Sequence, residues 1–225
     1  MNALRILPAG DSALLVQLES RIDPAISGAV ISLAAALEQR VGAILRDIVV
    51  GYCSVTVYFN PLSIDAAWLE SVIAETATGV LDDEPSAGPL LEVPVCYGAD
   101  LGPDLADVAR FAKCSEEEAI ALHSDVTYRV YVVGFVPGFP YMASVDPRLA
   151  LPRRASPRTR VPAGPVAVAA GQTGIYPAET PGGWHLIGRT RVKPYDPDRR
   201  EPFLFKPGDR VRFVPIDRAA YDAAS

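Results

Sequence analysis

Residues 128–141, YRVYVVGFVPGFPY, join a run of β-branched and aromatic residues to a segment built on glycine and proline, and this alternation decides the fold. Helical periodicity ends at Thr127. Beyond it, short β-rich runs at 128–133, 166–170 and 210–214 are separated by stretches dense in Pro and Gly, the pattern of a closed or nearly closed β-barrel. Most of the 21 prolines lie in this half. Proline cannot donate to a sheet ladder, so the segments that carry it are expected as loops or barrel rims.

Working back toward the N-terminus, the pattern changes. A strand at 13–18 precedes a helix at 24–40, with Ile26, Val30, Leu33, Ala34 and Leu37 on one face. Strand-like runs follow at 44–50 and 54–59, and a second helix starts near Ser63 with Trp68, Leu69, Val72 and Ile73 as its apolar stripe. The order β, α, β, β, α predicts a small α+β sandwich. Residues 82–88, DDEPSAG, have linker composition and set the expected domains at 1–84 and 89–225. A strand at 90–96 then leads to two short helices. The second is capped by Ser115 with Glu118 as the reciprocal partner, and its last turn carries His123, where the helix end favours a positive charge.

Three stretches hold the residue types that chemistry needs. In GFVPGFPY (134–141), the glycines allow turns that present Phe135, Phe139 and Tyr141 as a rigid aromatic wall, either a plug at the barrel mouth or a substrate wall. PRRASPRTRVPAG (152–164) places Arg153, Arg154, Arg158 and Arg160 within eight positions. Guanidinium pairs bind carboxylates and phosphates, while a solvated loop paired with acidic side chains is the competing reading. In GQTGIYPAETPGGWHLIGRT (171–190), Gln172, Thr173, Tyr176 and His185 stand among glycines and could hold an amide or carboxylate. A plain turn at Gln172-Thr173-Gly174 and a satisfied strand histidine at His185 are the competing readings.

Composition narrows the classes. A net charge of -6 argues against nucleic acid or an anionic membrane as partner, and no apolar stretch reaches the length of a membrane span, so the cytoplasm is the expected address. Cys53, Cys96 and Cys114 are odd in number and lack CxxC spacing; they read as reduced packing residues in strand, strand and loop, with a catalytic thiol as the alternative. Phosphate loops, GxGxxG after a strand, HExxH and GxSxG are all missing, and two histidines leave too few ligands for a dedicated zinc site, so no metal is expected. Any catalysis calls for a second polypeptide to complete the site.

The three stretches, in this order and spacing, resemble the family of 5-oxoprolinase B subunits. That family also includes the kinase inhibitor KipI and the first half of the carboxyltransferase part of urea amidolyase, or allophanate hydrolase subunit 1. The resemblance implies a small α+β N-terminal domain, a cyclophilin-like barrel, and C and A subunits as partners. It also implies an ATP-dependent (with Mg) opening of the lactam 5-oxo-L-proline to L-glutamate, because phosphorylating the lactam oxygen turns it into a good leaving group. The residues themselves, rather than the resemblance, make His185, Gln172 and His123 the catalytic candidates, and Phe135, Tyr141, Arg158, Arg160, Thr173 and Tyr176 the substrate-binding ones. A KipI-like regulator and a carboxyltransferase half are the competing functions.

Overall fold

Strand β1 (Arg5–Pro8) pairs antiparallel with β2 (Ala13–Gln17) and opens a sheet of order β1-β2-β4-β3, completed by β3 (Asp47–Val50) and β4 (Ser54–Tyr58). The computed structural model describes residues 4–80 and 88–224, and the chain divides into two compact units, Met1–Ala87 and Gly88–Ser225. The expected linker at 82–88 and the boundary between 84 and 89 fall almost wholly outside the described residues. The sequence periodicity misses β1, because four residues at a sheet edge leave no clear alternation.

Helix α1 (Pro24–Val41) starts where Asp23 Oδ1 accepts from the Ala25 N–H at 2.8 Å and Pro24 presets the first turn. Val30, Leu33 and Leu37 from this helix meet Leu14, Val16, Val55 and Val57 of the sheet in one core. Helix α2 (Ala66–Val80) begins later than expected. Asn60 holds the preceding turn through Ser63 and Leu62, and Asp65 Oδ1 then accepts from the Trp68 N–H at 2.8 Å, which sets the helix start. Trp68 is 45% exposed, because it lies one position off the stripe of Leu69, Val72, Ile73 and Thr76. Cys53 also departs from expectation, since it sits in the bend before β4.

The second unit is a closed barrel of order β10-β7-β6-β13-β5-β12-β9. Its strands are β5 (Leu90–Tyr97), β6 (Thr127–Val133), β7 (Pro140–Ala143), β9 (Pro165–Ala169), β10 (Gln172–Ile175), β12 (His185–Arg189) and β13 (Arg210–Pro215). Helices α3 (Leu105–Ala112) and α4 (Glu116–Ser124) lie in sequence between β5 and β6, and α5 (Arg218–Ala223) follows β13. Strands β8 (Arg158–Val161) and β11 (Thr180–Gly182) form a separate two-stranded ribbon. Prolines do enter strands: Pro94 lies within β5. The Pro89 carbonyl accepts from Arg210 of β13 and the Val95 carbonyl from Ile216 just after it, so Pro94 faces the other way, where β12 pairs only with Cys96 and Tyr97 and no ladder donor is required. Among the described residues no helix is long and apolar enough to cross a membrane.

Candidate active site

Alternation along the barrel wall produces two apolar cores. In β9, PVAVA, every residue is buried. Val166 and Val168 point into the barrel core with Ile175, Ile187 and Phe213. Ala167 and Ala169 point outward, into a second cluster with Phe139, Val161, Tyr176, Trp184 and Leu186. A strand covered on both faces reads as a continuous apolar run, and here the outer cover includes Val161 of β8. The aromatic residues of 134–141 therefore lie on the outside of the wall, and of the two alternatives, plug or wall, they do not form a plug in the barrel core.

This outer cluster borders a pocket of about 300 Å³, lined by Phe135, Phe139, Tyr141, Arg153, Pro157, Tyr176 and residues 180–184. Phe139 is its hub, with ring centroids at 4.8 Å from Tyr141, 5.2 Å from Tyr176 and 5.5 Å from Trp184. These tilted and edge-on arrangements suit the ring quadrupoles. Phe135 closes the rim from a γ-turn, in which the Val136 N–H donates to the Gly134 carbonyl at 2.8 Å and Phe135 itself takes φ 66°. Phe135 is a bulky residue held in this sparsely populated region while 63% exposed. Glycine at 182 makes room for Tyr176, because a Cβ there would lie 2.3 Å from its hydroxyl and the ring would have to shift. Burial pushes the Tyr141 and Tyr176 hydroxyls up, against the Arg153 charge at Tyr141 and a backbone hydrogen bond from Trp184 at Tyr176, so both stay neutral phenols.

Three of the four clustered arginines are already paired. Asp104, 3% exposed at the start of α3, accepts from Arg158 Nη1 and Nη2 at 2.9 and 2.8 Å, from Arg154 Nη1 at 3.0 Å and from the Leu186 N–H at 2.7 Å. Burial pushes its carboxyl up, but the Arg158 hydrogen bond, the Leu186 N–H and both guanidinium charges outweigh it and hold the group below the usual carboxylate range. Arg160 pairs with Glu179 at 2.6 Å across the β8–β11 ribbon. Arg158 and Arg160 thus each have a carboxylate partner within the chain. Arg153 is the one that lines the pocket, with no ion pair among the described residues.

His123 lies elsewhere. The end of α4 enters the barrel, where the His123 ring is fully buried and stacked on Phe213 at 4.6 Å. Thr173 Oγ1 donates to the Ala167 carbonyl at 3.1 Å, so it accepts from His123 Nε2–H at 2.8 Å, and Nδ1 then accepts from the Tyr97 hydroxyl at 2.8 Å. The expected favoured charge at this helix end is overturned: burial pushes the imidazole down to about 3. His123 and Thr173 form a polar chain inside the barrel and are not among the residues that line the pocket. A histidine depressed in the folded state stabilises fully above its unfolded pKa and loses that contribution as pH falls toward its folded value. Denaturant midpoints should therefore show about 1.4 kcal/mol of stability lost between pH 7.5 and 5.5, above the range of most carboxylates. The His123→Gln variant should lack this loss.

His185 and Gln172 also stand outside the pocket lining. His185 Nε2–H donates to the Pro152 carbonyl at 3.0 Å, and its Nδ1 is buried without a partner. Gln172 starts β10, in register with Ala143 and Ala169. Of the nine candidates, the structure brings Phe135, Tyr141 and Tyr176 together. Asp104 escaped the sequence reading, because its partners lie 50, 54 and 82 residues away. Burial pushes the Cys96 and Cys114 thiols up, which is opposite to thiolate activation. The pocket does not fit a magnesium nucleotide, since its lining holds one guanidinium and no carboxylate. No group of three or more His, Cys, Asp or Glu among the described residues could hold a metal ion.

Comparison with known proteins places this geometry in a family. The model of the carboxyltransferase domain, subdomain C and D, matches residues 4–205. The 5-oxoprolinase B subunit of Bacillus subtilis (strain 168) is 37% identical over 225 residues, covering 95% of this chain and 93% of that one. The protein of the same name from Escherichia coli O157:H7 is 40% identical over 224 residues, covering 96% and 97%. The solved structure of TTHA0988 superposes with a TM-score of 0.81 at 38% identity over 91% of this chain, which spans 40% of that longer chain. With a family model along most of its length and relatives of this identity along nearly all of it, the chain belongs to the family of 5-oxoprolinase B subunits.

Proposed function

We propose that the chain is the B component of an ATP-dependent 5-oxoprolinase and contributes the substrate-facing pocket for hydrolytic opening of 5-oxo-L-proline to L-glutamate. The observation that carries this reading is the near full-length identity to proteins named as 5-oxoprolinase B subunits. The pocket supports it: flat aromatic walls, two neutral phenols and a single guanidinium suit a small flat lactam bearing one carboxylate. In this reading the N-terminal unit is an α+β sandwich and the barrel is of the cyclophilin-like kind. A C subunit and an A subunit complete the enzyme in the cytoplasm. ATP, with its magnesium, is handled outside this pocket, and the chain is inactive alone. A KipI-like regulator would need no pocket, and a carboxyltransferase half would need biotin-handling partners. The test is glutamate release from 5-oxoproline and ATP by the mixture of the three purified subunits. Release should fall to background when this chain is omitted; undiminished release without it would refute the assignment.

A further inference from the structure

We propose, resting on that reading, that Arg153 is the residue that binds the carboxylate of the substrate, and that His185 positions it. Arg154 and Arg158 are held on Asp104 and Arg160 on Glu179, which leaves the Arg153 guanidinium for the pocket. Guanidinium presents paired donors that match a carboxylate, and aromatic rings line the same pocket. The pocket therefore takes a flat, singly charged carboxylic acid in preference to a neutral lactam.

The segment carrying Arg153 is fixed on both sides by residues 183–185, which lead into β12. On one side the Pro152 carbonyl accepts from His185 Nε2–H at 3.0 Å. On the other, the Arg154 N–H donates to the Gly183 carbonyl at 2.8 Å, and its guanidinium reaches Asp104 at 3.0 Å. Gly183, Trp184 and His185 are consecutive. Trp184 lines the pocket, and its two neighbours hold the backbone on either side of Arg153, so the point from which the Arg153 side chain leaves is tied to the aromatic wall by two hydrogen bonds. His185 keeps this place although its Nδ1 is buried and unpaired. A buried acceptor without a partner is destabilising, and a histidine standing there at that cost fits a positioning role.

The experiment measures KM and kcat for 5-oxo-L-proline in the reconstituted three-subunit enzyme. Arg153→Ala should raise KM by roughly 10–100-fold, the loss of one charge-assisted pair, with the effect concentrated in KM. Arg153→Lys, which keeps the charge but not the fork, should fall between. His185→Ala should raise KM several-fold, and His185→Gln, which keeps an N–H for the Pro152 carbonyl, should restore it. An active wild-type enzyme whose Arg153→Ala variant has unchanged KM overturns the anchor while leaving the functional reading intact. Unchanged KM in His185→Ala overturns the positioning role. A wild-type mixture with no activity overturns both the functional reading and this inference.

Discussion

Replacing Asp104 by alanine should lower the stability of the barrel unit by about 3 kcal/mol and weaken 5-oxoproline use in the same variant. Removing one partner of a buried ion cluster leaves the others uncompensated, which costs on the order of 3–5 kcal/mol in buried pairs. The lower end applies here, because the side chains of Arg154 and Arg158 are 32% and 25% exposed and water screens part of the loss. The Leu186 N–H also loses its acceptor in the middle of the outer cluster. Thermal denaturation should show a midpoint lower by roughly 10 °C. A midpoint within a degree of wild type would mean that Asp104 is not the tie between the arginine loop and the wall. Asp104→Asn keeps acceptor capacity for Leu186 and should lose less.

The second large effect is expected at Phe139. Its ring touches Phe135, Tyr141, Tyr176 and Trp184, and it is 2% exposed. Phe139→Ala should cost about 3–5 kcal/mol from lost transfer energy and the cavity left behind. Gly174 lies directly beneath the ring, where a Cβ would meet Phe139 Cζ at 2.7 Å. The small residue and the large one are therefore complementary, and Phe139→Leu should recover part of the stability without restoring the aromatic wall. The check is paired: denaturant unfolding for stability and KM for 5-oxoproline in the assembled enzyme. Stability recovered by leucine while KM stays raised separates the ring's contact role from its packing role.

Much of the architecture is legible from periodicity. The apolar face of 24–40 and the β-rich runs after Thr127 became α1 and the barrel, since each follows a single period over several residues. Elements that lack such a period are not legible. The edge strand β1 and the ribbon of β8 and β11 are short, exposed and rich in Arg, Pro or Gly. The second core on the outer wall is hidden for a different reason: PVAVA is apolar throughout, and an unbroken run cannot reveal that its two faces meet different neighbours. At the site, the aromatic residues Phe135, Tyr141 and Tyr176 are recognisable from type and from glycine spacing. Which of four adjacent arginines faces the pocket is decided by Asp104 and Glu179, contacts made across the fold. His123 shows the same limit, because a helix end reads as solvent-facing until the barrel is seen to close around it.

The outer-wall pocket is proposed as the place where this chain meets substrate. Hydrogen exchange of the assembled three-subunit enzyme, with and without 5-oxo-L-proline, tests that directly. Ligand should slow exchange at residues 134–141, 152–158 and 176–184, the three segments that line or hold the pocket. Ligand-dependent protection confined to other segments or to the other two proteins of the complex would contradict the proposal.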